Sequence, residues 1–164
     1  MRCGRTGFFL FILLVLPVGL TAVAGAGDKN LFLQVVRPQE DVVLWESPVR
    51  QGECFTIDYR HSSDHTPVHD VFRIAEDAEI VLIEESYRWY GAGLAFHPAD
   101  GTMDTSGGWT RVLLNRKFPH FLLRVGEVAN HVLSINGHSM PLLQIAKGRE
   151  QVWIRTMRKT EAKR

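Results

Sequence analysis

Three histidines recur at every fourth position of one short polar stretch, at His61, His65 and His69. Asp64 and Asp70 lie nearby, and neutral imidazole with carboxylate is ligand chemistry that suits zinc or copper. Four-residue spacing aligns side chains on a helix, but Pro67 excludes a helix here. An extended chain would spread the three rings over roughly 26 Å, so only a corner could gather them. The pattern allows a metal site, but a solvated turn explains it more simply, and we expect no cofactor.

The same stretch places a hydroxyl directly beside a base, in His61-Ser62. A serine nucleophile needs a base of this kind and a carboxylate to orient it. Successive side chains of an extended strand point to opposite faces, however, and the chain has no Gly-x-Ser-x-Gly nucleophile elbow. We therefore expect no serine hydrolase here. Ser62, Ser63 and Thr66 are expected to bond the amides of a turn.

A second candidate site is the segment Tyr90-Gly91-Ala92-Gly93-Leu94. It lacks the third glycine of a dinucleotide fingerprint, and no helical pattern follows, so it is not a Rossmann loop. Two glycines within three residues allow either a tight bend or a close approach in which backbone amides hold an anion. With Arg60 or Arg88 as the counter-charge, the segment would suit a small anionic solute. Tyr87 and Tyr90 would form its walls.

Strands must position these groups. Phe55, Ile57 and Tyr59 alternate with polar residues, as in a strand with one buried face, and His61 continues the apolar parity. A buried imidazole needs a hydrogen-bond partner, because leaving it unpaired is costly. We therefore predict that His61 is largely buried and bonded. Its predicted partners across the sheet are Asp70, Glu84, Tyr87 and backbone groups.

Short apolar runs bounded by turn residues recur about every ten residues, and no window shows helical periodicity with caps at both ends. Besides the strand that begins at Phe55 and the run that follows Pro67, the predicted strands are Leu31–Val36, Val42–Trp45, Glu79–Tyr90, Arg111–Asn115, Phe118–Val125, His131–Ile135, His138–Leu143 and Gln151–Thr156. The sequence thus predicts an all-β fold, an antiparallel sandwich or partly closed barrel of about nine to ten short strands.

Turn residues refine this prediction. Asn136-Gly137 predicts a type I′ hairpin turn, and Pro119 marks the strand that contains it as an edge strand or one that starts late. The stretch from His97 to Gly108 is rich in turn residues and predicts a long surface loop. In Glu79–Tyr90, Val81, Ile83 and Tyr87 share one parity and Ile80 and Leu82 the other, which predicts a strand that starts in the centre of a sheet.

The N-terminus has the charged, apolar and small-residue order of a secretory signal peptide over residues 1–24. An uncleaved anchor is the alternative, and in both cases the body faces the periplasm or the extracellular space. We divide the rest into a linker (25–30), one β domain (31–157) and a basic tail (158–164).

Removing residues 1–24 removes two of the 19 basic residues and no acid, which leaves 17 against 18 acidic residues. A nucleic-acid partner is not expected at this near-neutral charge. Cys54 then has no partner for a disulfide within the chain, and we expect its side chain to be packed.

The motif Phe55-x-x-x-Tyr59-x-His61-Ser62-x-x-x-Thr66-Pro67-Val68 is followed by Asp70 and Phe72, and later by Glu84, Tyr87 and Gly91-Ala92-Gly93-Leu94. This order resembles the bacterial family known as domain of unknown function 1850 (DUF1850), over most of the mature chain. Ala95 stands where a proline usually follows the second motif. His65 and His69 replace residues that are often charged, which weakens a metal site as a family function.

The resemblance implies a non-enzymatic, exported accessory of tripartite ATP-independent periplasmic (TRAP) transporters of the TAXI type. Its implied partners are the solute receptor or the membrane subunit. Small-ligand binding, of an organic acid or amino acid, is the alternative function, and metal binding by the histidines is a further one. The site residues that the resemblance carries over are His61, Ser62, Thr66, Pro67, Asp70, Glu84, Tyr87, Gly91 and Gly93, to which the loop adds Tyr90.

Overall fold

The computed structural model describes residues 30–88 and 101–160. Eleven strands form in this part of the chain: β1 (Leu31–Arg37), β2 (Val42–Pro48), β3 (Cys54–Arg60), β4 (Pro67–Ile74), β5 (Ile80–Tyr87), β6 (Gly101–Asp104), β7 (Thr110–Phe118), β8 (His120–Arg124), β9 (Val132–Ile135), β10 (His138–Pro141) and β11 (Gln151–Arg158). Short 3-10 helices follow β6 and β10, at Ser106–Gly108 and Leu142–Gln144. No helix in the described ranges is long and apolar enough to cross a membrane.

The strands form two antiparallel sheets. The larger has the order β10-β9-β3-β4-β5-β7-β6 and the smaller has the order β2-β1-β11-β8. Alternate residues of both sheets meet in one apolar core, in which Leu33 and Ile154 of the smaller sheet pack with Phe55, Ile57 and Leu133 of the larger. The fold is therefore an all-β sandwich, as the sequence predicts, and the two sheets do not close into a barrel.

The chain changes sheets at Pro119. Before it, β7 pairs within the larger sheet, and after it β8 pairs only with β11 at the end of the smaller one. The prediction that Pro119 marks an edge strand is confirmed, because a proline cannot donate a ladder hydrogen bond. Phe118 and Phe121 remain in contact across the change of sheet, with ring centroids 5.9 Å apart.

A β-bulge reverses the parity of β5 in its middle. Ile80 and Leu82 face the core, but the pairing with β4 runs from Leu82 directly to Glu84 and leaves Ile83 unmatched. Because one extra residue exchanges the two faces of a strand, Glu85 and Tyr87 then face inward with Leu82. The two apolar parities seen in the sequence of this central strand therefore reflect, in part, a bulge.

Two turn predictions have opposite outcomes. Asn136 and Gly137 have φ angles of 51° and 77° between paired β9 and β10, which confirms the hairpin turn. The surface loop predicted up to Gly108 is wrong at residues 101–104, because β6 pairs with β7 there. A Cβ at Gly101 would lie 1.8 Å from the Leu113 carbonyl oxygen, so this glycine permits close strand pairing. Residues 97–100 lie outside the described ranges.

Smaller corrections concern single positions. Cys54 is exposed at the start of β3, so the prediction of a packed side chain is wrong. It shares the outward parity of Thr56 and Asp58, which explains its exposure. The last strand runs to Arg158, one residue into the predicted basic tail.

Candidate functional site

A cleft of about 380 Å³ opens between the two sheets, bordered by β3, β4, β5, β7 and the edge strand β8. Seven of the residues that line it are apolar. Six polar or charged residues also line it, namely Tyr59, Asp70, Glu85, Arg116, Arg124 and His131. A concave, apolar site with a few convergent polar groups is the usual form of a small-molecule site.

Strand register places the two carboxyl groups side by side. In the β4–β5 pair, Asp70 lies directly opposite Glu85, on the face that carries Phe72 and Leu82. On the other side of β4, Asp70 lies opposite Ile57, whose side chain is buried in the core. Residues opposite each other on one face have Cβ atoms about 5 Å apart, so the two carboxyl groups are close neighbours.

Asp70 is the most perturbed acid of the cleft. Its Oδ1 has no solvent contact and no hydrogen-bond partner among the described residues. Burial raises the pKa of Asp70 to about 8, the negative charges of Glu85 and Asp58 add to this, and the interaction with the Tyr59 hydroxyl opposes it. The carboxyl group is therefore predominantly protonated at pH 7.

Burial also shifts the pKa values of Glu85 and Tyr59, the neighbours of Asp70 in the cleft. Burial raises the pKa of Glu85, while the nearby Arg116 charge lowers it. Burial also raises the pKa of Tyr59, and the carboxylates of Asp70 and Glu85 act in the same direction. A cleft that favours the neutral form of each acid is poorly solvated.

His131 completes the polar group from the segment before β9. Its ring lies 5.1 Å from that of Tyr59, and its Nδ1 accepts a hydrogen bond from the Gly126 amide at 3.4 Å. Burial lowers the pKa of His131, which favours the neutral imidazole. Because Nδ1 accepts, the ring proton lies on Nε2.

The apolar wall is an aromatic stack that joins the sheets. Phe72 is stacked between Phe55 and Phe121, with ring centroids 4.9 Å from each and interplanar angles of 8° and 7°. The consecutive residues 121–124 of β8 also border the cleft. Among the described strands β8 pairs on one side only, so it is an edge strand with unpaired backbone groups on its other side.

The predicted His61 corner lies apart from the carboxyl pair, as a tight loop between β3 and β4. The His61 side chain is 13% exposed, so it is largely buried. Its Nδ1 lies 2.9 Å from the Ser63 hydroxyl and 3.4 Å from Asp64, within the loop itself. The predicted bonds to side chains across the sheet are wrong, because β3 ends at Arg60 and His61 belongs to the turn.

The other corner residues also serve the turn. The amide and hydroxyl of Thr66 both donate to Asp64 Oδ1, at 3.0 and 2.9 Å. These bonds, the amide first, lower the pKa of Asp64. Ser62 is exposed, and Pro67 is the exposed first residue of β4.

Glu84 and Tyr87 separate on the two sides of the larger sheet. Glu84 lies on the outer face, where it accepts hydrogen bonds from Arg111 and, at 2.8 Å, from Ser86. The bond from Arg111 is the main reason that the pKa of Glu84 is lowered. Tyr87 is 1% exposed and packs on the inner side with Val68 and Val112.

The histidine pattern does not gather a ligand set. His69 pairs with Asp58 on the outer face, with 2.6 Å between Nδ1 and Oδ1. His65 is exposed at a φ of 58° in the turn, and His61 bonds locally. In the part of the chain that the structure describes, no three His, Cys, Asp or Glu residues are grouped to hold a metal ion.

The second predicted site falls outside the described ranges, which do not include Tyr90, Gly91 or Gly93. Its two proposed counter-charges do not border the inter-sheet cleft. The guanidinium of Arg60 reaches the His65 carbonyl oxygen at 3.5 Å, and that of Arg88 lies 5.1 Å from the centre of the Trp109 ring.

Sequence reasoning included Asp70 but not Glu85, His131 or Arg116. Glu85 alternates with Tyr87, so these two side chains lie on the same face of β5. Because of the bulge at Ile83, the sequence does not reveal that this is also the face on which Asp70 lies in β4. Arg116 has a comparable signal, because it alternates with Leu114 and Phe118. Nothing in the sequence near His131 indicates its contact with Tyr59, which depends on how the loop before β9 packs.

Comparison with known proteins identifies a family. A family model described as a domain of unknown function (DUF1850) matches residues 55–142. This span includes β4 and β5, which supply the two carboxyl groups, together with β7, β8 and all of β3 except Cys54. No curated protein matches the chain, and no solved structure matches it.

Proposed function

Since this chain belongs to the DUF1850 family, we propose that it is a non-enzymatic, exported accessory domain that binds a small solute in the inter-sheet cleft. The observation that carries the proposal is the buried Oδ1 of Asp70, which lines the cleft with its hydrogen-bonding capacity unused. More than 90% of buried polar groups in native proteins have a partner. Leaving one unpaired costs about 1 to 3 kcal/mol, and a ligand that supplies the missing donor removes this cost.

The composition of the cleft supports binding as its function. Among its described lining residues there is no serine, threonine or cysteine that could act as a nucleophile. The groups that it offers are carboxyl, phenol, imidazole and guanidinium, set against the aromatic stack. These groups orient a ligand by charge and hydrogen bonds, while the apolar walls bury its body.

The export and transporter parts of the proposal have separate support. The signal-peptide pattern of residues 1–24 supports a periplasmic or extracellular location. The resemblance of the motifs to the family supports an association with a TRAP transporter of the TAXI type, through its receptor or membrane subunit. Co-purification of the tagged chain with those two proteins tests this association, and a lack of contact both in membranes and in solution would overturn it.

A thermal-shift panel of amines, amino acids and dicarboxylates tests solute binding directly. A ligand at 100 times its dissociation constant adds about 2.7 kcal/mol to the free energy of unfolding. Leu123→Trp should fill the cleft and abolish the shift. Leu113→Trp is the matched control, because Leu113 does not line the cleft, is 45% exposed and lies opposite Glu84 in the larger sheet. If no compound shifts the wild-type melting curve, the solute-binding proposal fails.

A further inference from the structure

We propose that the cleft binds a primary ammonium group carried on a small apolar or aromatic body, with the ammonium held by Asp70 and Glu85. This inference rests on the proposed function and deepens it, because it names the chemical class of the solute. It also differs from the anionic solute that the sequence suggests for the glycine-containing segment.

The geometry of the carboxyl pair favours a donor with several hydrogens. Asp70 and Glu85 face each other across β4 and β5, on the inner side of the sheet. The Oδ1 of Asp70 has no donor among the described residues. A primary ammonium group has three donors on one atom, so it can bond both carboxyl groups at once. Bonds between an ammonium and a carboxylate are about twice as strong as neutral ones.

The charge distribution disfavours an acid at this point. A carboxylate ligand would place a further acid beside Asp70 and Glu85, where burial and the charges of Glu85 and Asp58 already favour the protonated form of Asp70. On the cationic side, Arg116 lies near enough to act on Glu85. Arg124 also lines the cleft, but the charges that shift the pKa values of Asp70 and Glu85 do not include it.

The walls determine what else the ligand carries. Phe72 and Phe121 are stacked beside the carboxyl pair, and Phe118 meets Phe121 at an angle of 59°. Such surfaces bury an aliphatic or aromatic body, and the aromatic faces also attract a cation. A small hydrophilic cation such as free ammonium would leave these walls without contacts.

Binding of an ammonium should displace a proton. The free carboxyl pair holds a proton up to about pH 8, because burial raises the pKa of Asp70. A bound cation favours the ionised pair, so the affinity should rise about tenfold per pH unit until pH 8 is reached. The titratable or charged groups that line the cleft with Asp70 are Tyr59 on β3, Glu85 on β5, Arg116 on β7, Arg124 on β8 and His131 before β9, and the charge of Asp58 acts on Asp70 from the outer face of β3.

Isothermal titration calorimetry with three matched probes tests the inference. Phenethylamine carries the ammonium alone, phenylalanine carries ammonium and carboxylate, and 3-phenylpropionate carries the carboxylate alone. At pH 8 we expect phenethylamine to bind at least tenfold more tightly than 3-phenylpropionate, and more weakly at pH 6.5 than at pH 8. The phenylalanine measurement distinguishes an amine from an amino acid as the source of the ammonium group.

Two variants and one control locate the binding. Asp70→Asn and Glu85→Gln should each weaken phenethylamine binding at least tenfold, and Asp70→Asn should also abolish its pH dependence. Glu84→Gln is the control, because Glu84 is the adjacent residue and bonds Arg111 on the opposite face. Binding to Glu84→Gln should equal that of the wild type, and thermal melts establish that each variant is folded.

The outcomes separate the two proposals. Equal or tighter binding of 3-phenylpropionate would overturn the ammonium inference and leave solute binding in place. Phenethylamine binding that persists in both folded carboxyl variants would likewise overturn it. Failure of all three probes overturns the inference, while the thermal-shift panel decides solute binding independently.

Discussion

Glu84 and Glu85 are consecutive residues of one strand, yet they occupy opposite electrostatic environments. Glu84 lies on the outer face of the larger sheet, where the Arg111 guanidinium and the Ser86 hydroxyl bond its carboxylate and lower its pKa. Glu85 lies on the inner face beside Asp70, where burial raises the pKa of both acids. The two faces of β5 thus carry the same chemical group in different states.

The difference shows how to distinguish a structural acid from a candidate binding acid. On the outer face, each acid has a partner, since Asp58 also pairs with His69 at 2.6 Å. On the inner face, Asp70 Oδ1 has none among the described residues, and a cleft adjoins it. Other residues of the chain bond the outer acids Glu84 and Asp58, whereas Oδ1 of Asp70 on the inner face has no donor among the described residues. We therefore attribute binding to the inner face and structural stability to the outer one.

The largest expected effect comes from removing the wall of the cleft. Phe72→Ala deletes the ring that is stacked between Phe55 and Phe121, and it should lower the free energy of unfolding by about 3 to 5 kcal/mol. Its neighbour Arg73 is exposed, and Arg73→Ala should change stability by no more than about 0.5 kcal/mol. Urea denaturation of both variants measures the difference, and equal effects would mean that the inner face is not the packed one.

Asp70→Asn should stabilise the folded chain, increasingly so as the pH rises. The folded pKa of Asp70 is about 8, above an ordinary value of about 4, so between these pH values the folded chain holds a proton that the unfolded chain has lost. Wild-type stability therefore falls as the pH rises through this window, by at most about 1.4 kcal/mol per pH unit. Asparagine has no ionisable proton at this position. The free energy of unfolding of Asp70→Asn should therefore exceed that of the wild type by on the order of 1 to 3 kcal/mol at pH 8.

Denaturation curves from about pH 2 to pH 8 measure this advantage directly and include the acid range in which Asp64 titrates. Asp64→Asn is a suitable contrast, because bonds from Thr66 lower the pKa of Asp64, and its carboxylate contributes stability that is lost as the pH falls. The two variants should thus differ from the wild type with opposite signs of pH dependence. If Asp70→Asn is no more stabilising at pH 8 than at pH 4, the buried state assigned to Asp70 is incorrect.

His61 should contribute a moderate, local stabilisation. His61→Ala removes the ring that meets Ser63 and Asp64 in the β3–β4 loop, and it should cost about 1 kcal/mol. Because the ring bonds within its own loop, the variant should keep any ligand affinity of the cleft. A normal melting curve combined with lost binding would instead assign His61 to the binding site.

The smallest effect is expected on the outer face. Glu84→Gln weakens a pair in which Arg111 is largely exposed, so it should cost only about 0.2 to 1 kcal/mol, and less at high salt. The lowered pKa of Glu84 means that its contribution is present at neutral pH and is lost as the pH falls through the acid range. Melting temperatures at low and high salt test this. If the decrease for Glu84→Gln does not depend on salt, the side chain stabilises the fold by packing and not by its charge.

The sequence predicts the architecture better than the site. Alternation and turn residues such as Asn136-Gly137 and Pro119 indicate an antiparallel sandwich, because these signals are local. The carboxyl pair depends on register and on the bulge at Ile83, which moves Glu85 to the face of Asp70. A bulge is set by the pairing of neighbouring strands, so the parity of one strand did not indicate Glu85, and the family resemblance carried over Glu84 instead.

The titration of Asp70 tests the central claim most directly. Carboxyl carbon chemical shifts measured by NMR between pH 3 and pH 10, with Asp70→Asn for assignment, give its pKa in the folded chain. We predict a value of about 8 for the free protein, and a lower one when phenethylamine saturates the cleft. A pKa near the ordinary value of about 4, unchanged by phenethylamine, would contradict the proposal that Asp70 and Glu85 form a buried carboxyl pair that binds a cationic ligand.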